Sequence, residues 1–183
     1  MFDIEEVTKD VLDFWFVETP AEKWFAKDLD LDARIRDRFA AAYEDIQENG
    51  HDRYKASPDT SLAAIIILDQ FSRNMFRDDP RAFSEDKSAI ELTIHSIDNG
   101  VDKVIPEDRR CFIYMPLMHS EDLADHEKAV ELFSSLINKK FLEFELKHKD
   151  IIDRFGRYPH RNSVLDREST DDEIAFDKEH GGF

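Results

Sequence analysis

The sequence predicts an all-α protein built from stacked antiparallel helical hairpins. Apolar residues recur at intervals of three and four along nearly the whole chain, which is the spacing of one helix face. No stretch of six or more residues shows the convincing alternation of polar and apolar residues that is typical of a strand. Residues that often start or stop helices separate the apolar stripes: Pro80, Pro106, Gly50, Gly100 and Gly156. Short connections favour antiparallel neighbours.

Length and composition favour a single domain over residues 1–183. A chain of 183 residues matches the usual size of one hydrophobic core. Hydrophobic residues make up 41% of the chain and include fifteen phenylalanines, and 37% of the residues are charged. The chain can therefore bury a sizeable core and cover the outside of it.

Two amphipathic helices are predicted first. The apolar face of the first is formed by Ile4, Val7, Val11, Phe14 and Trp15, and we expect it to end near "FVETP", before Pro20. The second follows "KDLDLD", has Gly50 as its C-terminal cap, and carries a stripe of Leu31, Ile35, Phe39, Ala42 and Ile46.

A central helix is predicted after a polar loop, "GHDRYKASPD". The run "SLAAIIILDQFSRNMF", which follows Asp59, is apolar nearly all round before it turns polar. That pattern is typical of a helix that packs against neighbours on several sides.

Two helices are predicted in the next part of the chain. The segment "DDPRAFSEDKSAIELTIHSIDNG" predicts one helix with Pro80 in its first turn and Gly100 beyond its end. Another begins near Pro106, and we expect Pro116 to end or kink it because proline lacks a backbone donor.

Three further helices complete the prediction. One begins after "MHSED" and another at about Lys140, closed by Gly156. A short last helix covers "ESTDDEIAF", where Thr170 and Glu173 have the spacing of a capping box. No repeat of 34 residues is visible in the sequence.

Charge and composition exclude several functional classes. The 42 acidic residues outnumber the 25 basic ones and give a formal net charge of -17, which argues against nucleic-acid and membrane binding. The start "MFDIEEVTKD" lacks signal-peptide features and no apolar run approaches a membrane span, so we expect a cytoplasmic protein. The single cysteine, Cys111, is interpreted as a buried thiol. We expect no cofactor.

A polar cluster follows the most apolar helix in "LDQFSRN". Asp69 and Arg73 are four residues apart, as are Gln70 and Asn74, so each pair is expected to share a helix face. These residues can form pairs within the helix, line a buried polar pocket or dock the cap of another helix, because a polar group there needs a partner.

A second cluster, "YMPLMHSED", raises the question of a metal site. His119, Asp122 and His126 could share one helical face. The same spacing is compatible with helix capping by Ser120 or Asp122 and with a polar pocket wall, and we favour these over a metal. His148, near Ile152 and Phe155 in the sequence, is interpreted as a hydrogen-bonded core histidine.

The third cluster is "RFGRYPHRN", residues 154–162, in a turn after Gly156. There Arg157, His160 and Arg161 can converge on one point, and arginine presents a planar fork suited to carboxylate or phosphate. The alternative is a structural clamp on helix-end carbonyls and on acids such as Asp69. Both alternatives bring the same residues together.

We predict that these clusters converge around one pocket or polar core. The candidate ligand-binding residues are Asp69, Arg73, Asn74, Tyr114, His119, Glu121, Asp122, His148, Arg154, Arg157, His160, Arg161 and Asn162.

The chain resembles a mostly bacterial family, the domain of unknown function numbered 924. The resemblance covers nearly the whole chain and depends on "VLDFWF", "KWFAKD", "LAAIIILDQFSRNMFR", "AFSEDKSA", "YMPLMHSEDL" and "HKDIIDRFGRYPHRN" followed by "REST". It implies an all-helical fold like that of tetratricopeptide repeats and a recurrent polar constellation, without an established activity. Two positions depart from the family pattern: His126 stands where glutamine is expected, which weakens a metal site, and Asp166 replaces an expected glycine, which puts a tight turn in question.

Two functional classes follow from the sequence. The first is a binding module whose polar pocket holds a small anionic ligand or the acidic end of a peptide. The alternative is a hydrolase or transferase acting on a phosphate or carboxylate compound, with His119 or His160 as acid or base. The sequence lacks a glycine-rich phosphate loop, a GxSxG elbow and HExxH, so we favour the binding module.

Overall fold

The structure, a computed structural model, describes residues 3–180, and all the regular secondary structure in that range is helical, with no strand in it. The all-α prediction is therefore confirmed, whereas the likeness to tetratricopeptide repeats stays a prediction. The α-helices are α1 (Ile4–Asp13), α2 (Leu29–Asn49), α3 (Pro58–Ile65), α4 (Ser72–Met75), α5 (Asp86–Asp98), α6 (Val101–Val104), α7 (Glu107–Met118), α8 (Leu123–Ser134), α9 (Lys140–Phe155) and α10 (Asp171–His180). None of the helices in residues 3–180 is both long and apolar enough to cross a membrane.

A continuous helical rod forms the centre of the fold, as predicted. It consists of α3, a π-helical segment (Ile66–Phe71) and α4. The Ser57 side chain accepts from the Thr60 N–H, and the Thr60 hydroxyl accepts from the Ser57 N–H, so a capping box starts the rod. Every residue of the π-helical segment is buried, which places its polar members inside the protein.

The main hydrophobic core surrounds this rod. It draws on α1, α2, α3, α5, α7 and α8, and its largest fully buried side chains include Trp15, Tyr43, Phe39 and Phe71. Cys111 is buried in this core, and burial raises the pKa of its thiol to about 12, as expected for a structural rather than a reactive cysteine.

One proline prediction was wrong in position. Pro80 begins a short 3-10 turn (Pro80–Ala82) rather than the long helix, which starts only at Asp86. The Asp79 side chain accepts the Arg81 N–H and caps this separate turn. Pro116 lies inside α7, which continues to Met118, because in the last turn of a helix a missing N–H costs only one backbone hydrogen bond. The polar "GHDRYKASPD" segment contains a 3-10 turn (Asp52–Ala56) that sequence periodicity did not reveal.

The C-terminal part packs around a second, smaller apolar cluster. It combines Ile151, Ile152 and Tyr158 with the partly buried Phe155 and Phe176. The predicted capping box is confirmed, since Thr170 and Glu173 each accept the backbone N–H of the other. Gly156 ends α9 with φ 67°, and its N–H donates to the Ile152 carbonyl over 2.8 Å.

Replacing Gly156 with alanine is expected to destabilise the protein by about 1 kcal/mol. The left-handed backbone disfavours a Cβ, although no atom lies within 4 Å of the position that a Cβ would occupy. Urea unfolding measures the change. Gly156→Asn is the control, since asparagine tolerates this backbone better; equal stability of the wild-type and alanine proteins would contradict the prediction.

Candidate functional site

The π-helical segment places a carboxylate in the interior of the protein. Asp69 is 1% exposed, and its carboxylate accepts hydrogen bonds from Gln70 Nε2 at 2.6 Å and His119 Nδ1 at 2.7 Å. Arg73 Nη1 lies 3.2 Å from the same carboxylate, so the predicted pair within the rod is present. Such π-helical insertions frequently mark functional positions in helices.

Asp69 stays ionised despite its burial. Burial by itself raises the pKa of this carboxyl, but the charges of His119 and Arg73 outweigh it and hold the pKa at about 2. A fixed negative charge therefore lies directly behind the His119 ring.

His119 follows the end of α7 and is oriented by Asp69. Because an ionised carboxylate can only accept, the Nδ1 atom that faces it carries the proton. Nε2 makes no hydrogen bond with any other group in residues 3–180. The side chain is 19% exposed, so this second nitrogen is the edge of the ring available to a ligand.

Asp86, at the start of α5, bridges two arginines. Its carboxylate lies 3.0 Å from Arg73 Nη2 and 3.2 Å from Arg161 Nη1. Arg73 is in this way shared between Asp69 and Asp86, and the central rod is joined to both α5 and the turn after α9. The four charges balance one another in a largely buried network.

The guanidinium of Arg161 lies between two aromatic rings. Its Cζ is 4.6 Å from the centre of the Phe83 ring and 4.5 Å from that of Tyr158. Nη2 donates to the His119 carbonyl over 2.8 Å. Burial and the nearby charge of Arg73 lower the pKa of Arg161, against the pull of Asp86. These contacts are the ones that the clamp alternative predicts for Arg161.

Histidine rings gather at Tyr158. The rings of His126, His148 and His160 lie 6.3, 5.8 and 5.5 Å from the Tyr158 ring, and His119 lies 6.3 Å from His148. The Tyr158 hydroxyl donates to the Met118 carbonyl over 2.5 Å. His126 is fully buried between two acceptors, Glu145 Oε1 and the Ser120 carbonyl, each at 2.8 Å.

Two further ion pairs hold the C-terminal turn. Arg167 donates to Glu121 at 2.6 and 3.0 Å, and Glu121 also accepts the Tyr158 N–H at 2.8 Å. Arg157 donates to Glu173 of α10 at 2.6 and 2.9 Å. Asp166 adopts a left-handed backbone with φ 53°. The tight turn is therefore present, although aspartate stands where the family pattern has glycine.

A groove of about 440 Å³ lies over this network and is open to solvent. Part of its wall is apolar and part is polar, and the lining residues are Pro80, Phe83, Ser84, Asp86, Lys87, Ile90, His119, Ser120, Glu121, Asp125, Arg161 and Leu165. A second depression of similar volume lies between α8 and α9, but its lining contains neither histidine nor arginine, and its lysine, Lys149, is paired with Asp153.

The structure brings together one part of the predicted constellation. Asp69, Arg73, His119, Glu121, His148, His160 and Arg161 meet in the network or contact its rings. The contacts of the other six candidates lie elsewhere. Asn74 donates to Asp32 of α2 and Tyr114 donates to Asp102 of α6, both over 2.7 Å.

The remaining candidates serve the C-terminal turn and the helix ends. Asp122 is exposed and caps α8 by accepting the Ala124 N–H. Arg154 stacks on Phe155, and Asn162 is buried and donates to Ser169. Arg157 belongs to the pair with Glu173 described above.

The residues weighed for a metal site make separate contacts. His119 faces Asp69, Asp122 caps α8, and His126 faces Glu145. Among the residues that the structure describes, no group of three or more His, Cys, Asp or Glu side chains is arranged to hold a metal ion.

Sequence reasoning missed three central members of the site: Asp86, Tyr158 and Glu145. Asp86 lies in the first turn of α5, where an acidic residue is ordinary and carries no signal of its partner. Glu145 lies on α9 among exposed residues of the same type. Tyr158 could have been found, because a large aromatic residue within a charged turn is a candidate for burial.

The comparisons with known proteins agree with this architecture. The structure of a protein of unknown function, ATU0120 from Agrobacterium tumefaciens, is 36% identical in sequence, and the match covers 97% of this chain and 99% of that chain with a TM-score of 0.91. No curated protein matches the sequence. The model of a family described as bacterial protein of unknown function (DUF924) matches residues 11–181. The chain therefore belongs to the DUF924 family of bacterial proteins of unknown function.

Proposed function

We propose that the groove binds a small ligand with a carboxylate or phosphate group, such as a small organic acid or the acidic end of a peptide. The observation that carries the proposal is the orientation of His119, a residue of the groove lining: Asp69 holds Nδ1, and Nε2 makes no hydrogen bond to any group within residues 3–180. An anion at Nε2 stabilises the imidazolium form from one side while Asp69 stabilises it from the other.

The charges around the groove support an anion over a cation. Its acids are already engaged: Asp86 by two arginines, Glu121 by Arg167, and Asp125 by the Ser120 hydroxyl at 2.6 Å. Lys87, by contrast, is 90% exposed, and its nearest ion-pair partner, Glu91, is 4.0 Å away. Lys87 and His119 are therefore the groups that can respond to a ligand.

The apolar wall indicates what the rest of the ligand is like. Phe83, Ile90 and Leu165 line the groove together with Pro80. Ligand sites commonly combine such apolar walls with a few polar groups that fix orientation, and a volume of a few hundred Å³ is typical for a small molecule. A ligand with an apolar body and one acidic group fits this lining best.

The test compares wild type with His119→Asn. Asparagine keeps a donor at the position of Nδ1, so it can still pair with Asp69, but it lacks Nε2. We expect inorganic phosphate or a small carboxylic acid to raise the melting temperature of wild type. At a ligand concentration a hundredfold above Kd, the free energy of unfolding should increase by about 2.7 kcal/mol. The effect should vanish in His119→Asn.

His95→Gln is the matched control, since His95 is a partly exposed histidine of α5 that does not line the groove. It should respond to the ligand as wild type does. Native mass spectrometry of the purified protein identifies any ligand that copurifies. The proposal is wrong if no ligand copurifies and if neither inorganic phosphate nor a small carboxylic acid raises the melting temperature of wild type.

A second candidate function is a hydrolase or transferase acting on a phosphate or carboxylate compound. It is favoured by the Asp69–His119 pair, because a carboxylate on Nδ1 leaves Nε2 as a base, as in the Ser-His-Asp arrangement. The hydroxyl of the neighbouring Ser120 donates to Asp125 and not to the His119 ring. Turnover of a phosphate or carboxylate ester by wild type, lost in His119→Asn, would favour the enzyme.

A further inference from the structure

Large apolar side chains lie exposed where α9 begins. Phe144 of α9 is 47% exposed, Ile137 in the connection from α8 is 83% exposed, and Phe25 in the connection before α2 is 59% exposed. Phe141 links them, because its ring centre is 6.5 Å from that of Phe25 and because it lies one helical turn before Phe144. We call Phe25, Ile137, Phe141 and Phe144 the α9 apolar face.

The α9 apolar face is packed on the main core from beneath. The Phe25 ring stacks on that of buried Phe112, and the Phe141 ring stacks on that of buried Phe133, with 6.3 Å between ring centres in each case. The inner side of this surface is therefore fixed by the core, while its outer side is accessible. Contiguous apolar surface of this kind often marks a site of interaction with another protein.

Lysines without an ion pair accompany the α9 apolar face. Lys27 and Lys140 are close in sequence to Phe25 and Phe141, and Lys147 Nζ lies 5.7 Å from the centre of the Phe144 ring. All three lysines are exposed, and none of them pairs with an acid in residues 3–180. This is unexpected in a chain whose 42 acids outnumber its 25 bases, because each lysine has many possible partners.

The acids beside these lysines do not neutralise them. Asp28 already pairs with Lys23 at 2.7 Å, and Glu145 is fully buried. From residue 139 to 147, three exposed lysines therefore accompany one exposed acid, Glu143. The exposed charge of this stretch is positive, opposite in sign to the net charge of -17 of the whole chain.

This combination of charge and apolar surface fits an acidic amphipathic helix. Ile137, Phe141 and Phe144 follow one another at intervals of four and three residues, as residues on one side of a helix do. A partner helix lying along them places its apolar residues on the face and its acids beside Lys140 and Lys147. An anionic bilayer or a second copy of the chain brings a large negative charge toward a protein that is itself strongly negative, whereas a short segment brings only a few acids.

We propose that the α9 apolar face is a docking surface for an acidic amphipathic segment of another protein. Burial of the exposed rings drives the association, and the lysines select acidic sequences and set their orientation. Neither the residues of the face nor its three lysines line the groove, so docking here and ligand binding in the groove are independent.

Selection of a phage-displayed library of random peptides on immobilised wild type tests the proposal. We expect the enriched peptides to combine Phe, Leu, Ile or Trp with Asp or Glu. Synthetic copies of these peptides are then titrated by fluorescence anisotropy. Phe144→Ser should weaken their binding about tenfold, because an apolar contact is lost. The double variant Lys140→Glu and Lys147→Glu should weaken binding about tenfold as well, and should make it less sensitive to salt.

Two matched controls should bind the peptides as wild type does. Leu146→Ser is the first, since Leu146 is 49% exposed on the same helix but lines the separate depression between α8 and α9. Lys178→Glu is the second, since Lys178 is an exposed lysine of α10 without an ion pair in residues 3–180. Circular dichroism checks that each variant is folded, and Ile137→Ser replaces Phe144→Ser if the latter is not.

The proposal is overturned if no peptide is enriched or if the enriched peptides lack acids. Equal affinity of wild type, the serine variant and the double lysine variant would overturn it too. Binding of wild type to vesicles that contain phosphatidylglycerol, with no enriched peptide, would assign the face to a membrane instead. Self-association of wild type in sedimentation experiments, abolished by Phe144→Ser and again with no enriched peptide, would assign it to a second copy.

Discussion

Replacement of Asp69 with alanine is expected to lower the free energy of unfolding by about 3 to 5 kcal/mol at neutral pH, as loss of one partner from a buried charge network does. The change removes the acceptor of Gln70 and His119 and one of the two carboxylates that face Arg73. Such a loss is a large share of the 5 to 15 kcal/mol typical of a whole domain. Urea unfolding at pH 7 measures it.

The effect of Asp69→Ala should depend on pH with a defined sign. Because the folded pKa of about 2 lies below the ordinary value near 3.9, the carboxylate stabilises the protein above pH 4 and loses that contribution as the pH falls toward 2. Asp69→Asn is the matched control, since it keeps the shape and an acceptor for His119 while removing the charge. A difference between wild type and alanine that does not shrink in acid would contradict the electrostatic explanation.

Replacement of Arg161 with alanine is expected to destabilise the protein by about 3 kcal/mol, near the lower end for a broken buried ion pair because Asp86 keeps Arg73 as a partner. The variant also leaves the His119 carbonyl without its donor and opens a space between Phe83 and Tyr158. Thermal and urea unfolding both report the loss.

Arg154→Ala is the control for Arg161→Ala. Arg154 stacks on Phe155 at an exposed position, so its loss should cost less than about 1 kcal/mol. A double-mutant cycle with Asp86→Asn isolates the pair itself. Wild-type stability in Arg161→Ala would show that Arg161 is not a clamp, and would return it to the ligand-binding alternative.

The contacts of the two arginines match the clamp alternative. Arg157 pairs with Glu173, and Arg161 pairs with Asp86 and the His119 carbonyl. Clamped arginines are poorly placed to bind a ligand, because an anion would have to displace carboxylates that are already paired. The proposed binding of a ligand in the groove therefore depends on His119 and Lys87, whereas Arg161 is part of the groove wall.

The sequence by itself determined most of the helices and several of their ends. A period of 3.6 residues shows which side of a helix is apolar, and a cap such as Gly156 or the Thr170–Glu173 box acts within a few residues of its position. The central helix and the pair of Asp69 with Arg73 were predictable for the same reason, because both are local in the chain.

Only the tertiary structure decided which polar groups meet. Asp69 and His119 are 50 residues apart, and Arg161 and Asp86 are 75 residues apart, so no spacing along the chain relates them. The sequence around Asp86 is equally compatible with a solvated surface carboxylate and with a buried bridge. Asn74 and Tyr114 were predicted to join the site on sequence patterns as strong as that of His119, yet their side chains contact other helices. The choice depends on the packing of helices, because the cost of burying a charge is met only where an opposite charge is brought within a few ångströms of it.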